Sequence, residues 1–158
     1  MKRILVIIIS VSMIIGSCII TSNAQNYTSI ISDESLLVQY DDGSYITVTI
    51  GRSGNPNSRD SVSNYKTITY NDSSGEVEWV YTLYATFAYV YGTSSTCTKV
   101  SYDYTIYRDS WEFSNGSASR SGDTAYGYGT FKNKILGITT KTINIDTYLT
   151  CDIYGNLS

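Results

Sequence analysis

Alternation with a period of two runs through most of the chain. Over residues 44–50, Ile46, Val48 and Ile50 fall on one face and Tyr45, Thr47 and Thr49 on the other, as in a half-buried strand. Residues 36–40 precede it as a short strand. Asp41-Asp42-Gly43 between the two is a strong turn signal, so the pair predicts a hairpin. Residues 25–35 are a polar lead-in or a weak first strand. Residues 65–70 form the next strand, closed by the turn Asn71-Asp72-Ser73-Ser74-Gly75. Over residues 76–91, Trp79, Tyr81, Leu83, Ala85, Phe87 and Tyr89 share one phase. That run exceeds normal strand length, which predicts a bend, a bulge or a change of sheet midway.

Further along, residues 96–107 keep Val100, Tyr102, Tyr104 and Ile106 in phase. Trp111 and Phe113 open a short strand, and residues 114–123 are small and polar. Residues 124–131 alternate glycine and tyrosine, with a turn expected at Asn133-Lys134. Residues 142–153 put Ile143, Ile145, Leu149 and Cys151 in one phase. Residues 51–63, with the single proline Pro56, read as an exposed loop. About seven to nine strands at this spacing predict an all-β domain, an antiparallel β-sandwich with a small β-barrel as the alternative.

The first residues follow another rule. Lys2 and Arg3 precede a largely apolar run over residues 4–15, and Ser22-Asn23-Ala24 offers a small-residue cleavage site. This is the three-part pattern of a signal peptide helix over residues 1–24, leaving one domain over 25–158 that starts at Gln25. An uncleaved anchor would need a longer uninterrupted span than Ser10, Ser12, Gly16 and Ser17 allow. Ile15-Gly16-Ser17-Cys18 also has the form of a lipobox. Lipidation at Cys18 would tether the domain to the cell surface rather than release it, although Ile19 and Ile20 continue the apolar run beyond the cysteine.

Export changes the composition that matters. Loss of Lys2 and Arg3 leaves nine basic residues against 14 acidic ones, more negative than the −3 of the whole chain. That balance argues against nucleic acid and anionic lipid as partners, and the mature form has no membrane span. The mature chain keeps all 16 tyrosines and has no histidine and no methionine. Its cysteines reduce to Cys97 and Cys151, which the exported compartment predicts to be a disulfide, with two buried thiols as the alternative.

The set Ala85-Thr86-Phe87, Cys97, Trp111, Ser121-Gly122, Gly129-Thr130-Phe131 and Cys151-Asp152, with Gly155-Asn156-Leu157-Ser158, resembles a group of small secreted β-domain proteins from Gram-positive gut anaerobes. Those proteins share a domain of unknown function. The resemblance covers the C-terminal half. Its motifs are turns, core positions and cysteines, so it implies a fold and no catalytic residue.

Without histidine, imidazole-based triads and metal sites are absent. The carboxylate pairs Asp41/Asp42, Glu76/Glu78 and Asp109/Glu112 remain. Glycoside hydrolysis would need two carboxyls facing one cleft, and solvated charge beside turns is the ordinary explanation. The aspartates near Gly43 and Gly75 lack EF-hand spacing and suit Asx turns. No catalytic residue, metal or cofactor is therefore expected.

The glycine–tyrosine alternation is more pointed. It sets Tyr126 and Tyr128 on one face and Gly127 and Gly129 on the other. Exposed tyrosines can stack on sugars or receive a peptide; cross-strand pairing, with glycine where another chain comes close, explains the same pattern structurally. Tyr126, Tyr128 and Trp111 are the candidate ligand-binding residues. The expected function is an exported, non-enzymatic domain that binds an extracellular glycan, protein or envelope polymer. A secreted antagonist and a carboxylate-dependent hydrolase are the alternatives.

Overall fold

The tight turns at Asp41–Gly43, Asp72–Gly75 and Leu136-Gly137 each join two antiparallel neighbours. The computed structural model describes residues 33–53 and 62–158. The segment read as a signal peptide, Cys18 and the stretch around Pro56 that was expected to be a loop lie outside the described residues. Eight strands are present among the described residues: β1 (Asp33–Gln39), β2 (Tyr45–Ser53), β3 (Val62–Asn71), β4 (Val77–Val90), β5 (Ser94–Ile106), β6 (Trp111–Ser121), β7 (Thr124–Ile135) and β8 (Ile138–Thr150). They form a five-stranded sheet in the order β1-β2-β3-β4-β5 and a three-stranded sheet in the order β6-β7-β8. Every pairing is antiparallel and between consecutive strands. The architecture is a two-sheet β-sandwich built as a meander, not a closed barrel.

β4 is the spine of the core. Trp79, Tyr81, Leu83, Ala85 and Phe87 are all buried, while Tyr89 in the same phase emerges at the end of the strand. Full burial of each large side chain stabilises the fold by roughly 1.5–3 kcal/mol. The long run does not change sheet. Its pairings are irregular on both sides: against β3, Glu78 is the extra residue between Trp79 and Val77, and against β5 the register slips between Thr86 and Phe87 and leaves Thr98 of β5 as the extra residue. Opposite β4, β7 offers Ala125, Gly127, Gly129 and Phe131. A Cβ on Gly127 would meet the Tyr81 hydroxyl at 2.8 Å and Leu83 at 3.0 Å. The glycines of the alternating segment therefore make room for β4 side chains. Tyr81 fills that room and donates its hydroxyl to the Tyr128 carbonyl at 3.3 Å. Burial pushes its phenol up to about 12.

Three elements differ from the sequence expectation. Residues 51–53 and 62–63, read as part of an exposed loop, continue β2 and open β3, and Gly51 is buried where the two strands pair. β6 continues through the small, polar residues to Ser121 rather than stopping near Phe113. Its outer face meets solvent, so serine suffices there, and a slip between Phe113 and Asn115 resets its phase. Asn133-Lys134 is not a turn. β7 runs on to Ile135, and the turn is Leu136-Gly137.

The sheets approach along both sides. Near β5 and β6, the Cys97 amide donates to the Gly122 carbonyl at 2.8 Å, and Arg120 donates to the Cys97 carbonyl at 2.7 Å. On the far side, Lys66 of β3 donates to the Tyr148 carbonyl at 2.9 Å.

The predicted Cys97–Cys151 disulfide is not formed. Both residues are free, buried thiols. Each sulfur instead faces a nearby carbonyl, Cys97 that of Lys99 at 3.4 Å and Cys151 that of Asp152 at 3.6 Å. Burial raises the pKa of both thiols, which makes them poor nucleophiles.

Candidate functional site

The outer face of the three-stranded sheet gathers the exposed tyrosines. β7 sends Ala125, Gly127, Gly129 and Phe131 inward, so Tyr126 and Tyr128 must point outward. Register then completes the surface. Tyr126 lies between Ser119 of β6 and Tyr148 of β8. Tyr128 lies between Ser117 and Asp146. The three rings are 44%, 36% and 56% exposed for Tyr126, Tyr128 and Tyr148. The Tyr128 hydroxyl accepts a hydrogen bond from Thr130 at 2.8 Å, and Thr130 also reaches Asn144 at 3.0 Å. The Lys66 ammonium stands 5.0 Å from the Tyr148 ring centroid, which fixes that ring by a cation–π contact. The result is a flat aromatic patch set among hydroxyl, amide and carboxylate groups.

Trp111, grouped with these tyrosines by sequence, lies on the other side of the sheet. It is 5% exposed and packs edge-on against Tyr70 and Trp79. Its indole Nε1 donates to Glu78 Oε2. It is a core residue and takes no part in the tyrosine face. In its place β8 supplies Tyr148, Asn144 and Asp146. Their signal was present as the phase opposite to Ile143, Ile145 and Leu149. Nothing in that phase alone says which tyrosine lies beside which.

The carboxylate pairs lie at one end of the sandwich, around the β1–β2, β3–β4 and β5–β6 turns. Glu76 and Glu78 both engage Arg108, so neither stands as a free acid opposite the other. An open cleft of about 420 Å³ at this end is lined by Asp42, Ser44, Tyr70, Glu78, Trp111 and Lys141, among others. Lys141 fills much of its bonding capacity internally. It donates to Asp42 at 2.9 Å, Ser44 at 3.1 Å and Tyr70 at 2.7 Å, and lies 4.4 Å from the Tyr40 ring centroid. Burial alone would lower the Lys141 pKa, but its bonds to Tyr70 and Asp42 outweigh that and raise it. Asp42 is held down to about 2 by hydrogen bonds from Ser44 and Lys141. The cluster ties the β1–β2 turn to β8.

The remaining turn aspartates serve the backbone. Asp72 accepts from the amides of Ser74 and Glu76 at 2.8 and 2.9 Å, and Asp152 from those of Tyr154 and Asn156, both at 2.8 Å. Among the described residues, no group of three or more acidic or sulfur side chains is placed to hold a metal ion.

These features define the class: an eight-stranded meander β-sandwich with a tyrosine-bearing outer face. No family model, no curated protein and no solved structure matches the chain.

Proposed function

We propose that the domain is an exported, non-catalytic module that binds a neutral extracellular glycan on the outer face of β6, β7 and β8. The observation that carries this reading is the placement of Tyr126 beside Tyr148, with Tyr128 two residues further along β7. Side chains on directly opposite positions stand about 4.5–5.5 Å apart. Those at i and i+2 of one strand stand about 6.6–6.8 Å apart. Such a patch gives successive sugar rings apolar faces to lie on, while Ser117, Ser119 and Asn144 can bond their hydroxyls. Asp146 in the same patch opposes an anionic chain, which favours an uncharged one.

The test is affinity electrophoresis of the folded protein in gels containing soluble neutral polysaccharides. Retardation by at least one of them is expected, and the Tyr126→Ala/Tyr148→Ala variant should lose it. Both rings are on the surface, so the variant should keep its stability to within about 0.5 kcal/mol per site. No retardation by any member of the panel, or unchanged retardation of the variant, rejects the reading.

A further inference from the structure

The β7–β8 turn differs from the other tight turns of the described residues. Gly43, Gly75, Gly92, Gly122 and Gly155 take the positive φ angles elsewhere, but here Leu136 itself adopts φ 51°, followed by Gly137 at 80°. Two positive φ values in a two-residue hairpin loop make a type I′ turn, whose first position ordinarily belongs to Asn, Asp or Gly. Leucine is disfavoured there because its Cβ crowds the next carbonyl. The core returns nothing for that strain. Leu136 is 97% exposed, and Ile135 and Ile138 beside it are 59% and 70% exposed. The fold thus holds an aliphatic tip in water at the end of the β7–β8 hairpin.

We propose that this tip is a wedge that enters the interfacial layer of a zwitterionic lipid bilayer. The size of the tip is the first reason. Its three side chains expose on the order of 400 Å², about half of the roughly 800 Å² that one protein contributes to a standard interface. A bilayer sets no such minimum. Polarity is the second. The tip has no polar side-chain atom, and Ile135 pairs with Ile138 across the turn, so few unpaired backbone groups would enter the apolar layer.

Charge chooses the lipid. Residues 124–145 contain three lysines and no acidic residue, so the hairpin itself offers cations to lipid phosphates. Two of the lysines are already neutralised, Lys134 by Glu112 at 2.7 Å and Lys141 by Asp42 at 2.9 Å. Asp72, Glu76, Glu78 and Asp109 lie at the same end of the sandwich against Arg108. That acidic surplus repels an anionic leaflet and leaves a zwitterionic one, entered to the shallow depth of about 5–10 Å typical of interfacial elements.

The test places a reporter at the tip of the full chain, as Leu136→Trp. Trp79 and Trp111 are buried and do not respond to vesicles. Added phosphatidylcholine vesicles should shift the emission of the new tryptophan to the blue, and brominated phosphatidylcholine should quench most of it. The control is Tyr91→Trp, on an exposed turn at the opposite end of the sandwich, which should show neither effect. Phosphatidylglycerol vesicles should give a weaker response at position 136. Silence at position 136, an equal response at position 91, or a stronger response on phosphatidylglycerol would each overturn the proposal. Leu136→Asn suits the turn better and should raise Tm; a fall would mean that the leucine serves the fold, which also overturns it.

Discussion

Phe131 lies flat on Trp79 across the two sheets, with ring centroids 3.9 Å apart and planes 4° from parallel. Both rings are fully buried. The contact joins β4 of the five-stranded sheet to β7, the central strand of the three-stranded one, and Gly127 and Gly129 beside Phe131 let the sheets close to that distance.

Phe131→Ala should therefore destabilise the domain by about 3–5 kcal/mol. Gly127→Ala, which adds a methyl against Tyr81 and Leu83, should cost about 1–3 kcal/mol. Tyr126→Ala, one residue away on the outer face, should stay within about 0.5 kcal/mol. Urea denaturation midpoints at constant m-value check the series. If Tyr126→Ala proved worse than Gly127→Ala, the two faces of β7 would have been assigned the wrong way round.

Acid should weaken the β1–β2 corner in a defined window. Asp42 ordinarily titrates near 3.8 and is held down to about 2 in the fold. A depressed carboxyl contributes fully above its unfolded pKa, and the contribution is lost as pH falls from about 4 through about 2. The Asp42 side chain is well exposed, so screening limits the loss to under about 1 kcal/mol. Asp72 and Asp152 are lowered too, chiefly by hydrogen bonds from Ser74 and Asn156, and add to the slope in acid. Tm measured against pH should fall in this window, and Asp42→Asn should flatten part of the fall. An unchanged curve for that variant would show that the Asp42–Lys141 contact adds nothing.

The two cysteines should behave as inert thiols. In the folded protein, Cys97 and Cys151 should resist a thiol reagent, and both should react once the protein is unfolded in denaturant. Intact mass before and after alkylation counts them. Failure of both to react without prior reduction would contradict the free thiols found here.

Where side-chain alternation was strong, the strands could be read directly. Ile46 and Val48 in β2, the phase from Trp79 to Phe87 in β4, and Ile143 to Leu149 in β8 all bury the residues the period selects. The polar half of β6 was illegible because a strand with a solvent face and glycine inside carries no apolar rhythm. The β7–β8 turn was misplaced because Asn133-Lys134 has ordinary turn chemistry and Leu136-Gly137 does not. Half of the candidate site was readable, since the glycines beside Tyr126 and Tyr128 required those rings to face outward. Tyr148 needed the register of β8 against β7, and Trp111 needed the phase of β6, which the Phe113–Asn115 slip hides. The cysteines failed for another reason: an expected compartment and pairing by count do not say where two sulfurs point.

The strictly consecutive pairing gives the chain a direction of assembly. As it emerges N-terminus first, all five strands of the larger sheet can zip together before β6 exists, and its apolar inner face then waits in water. The first strand that must cover it, β6, is rich in serine and has little strand preference of its own. It takes its place by settling on that face and pairing with β7 rather than before doing so. The domain therefore cannot be divided at the β5–β6 link into two parts that fold separately, and its most vulnerable moment is the interval in which the spine is built and the cover has not yet arrived.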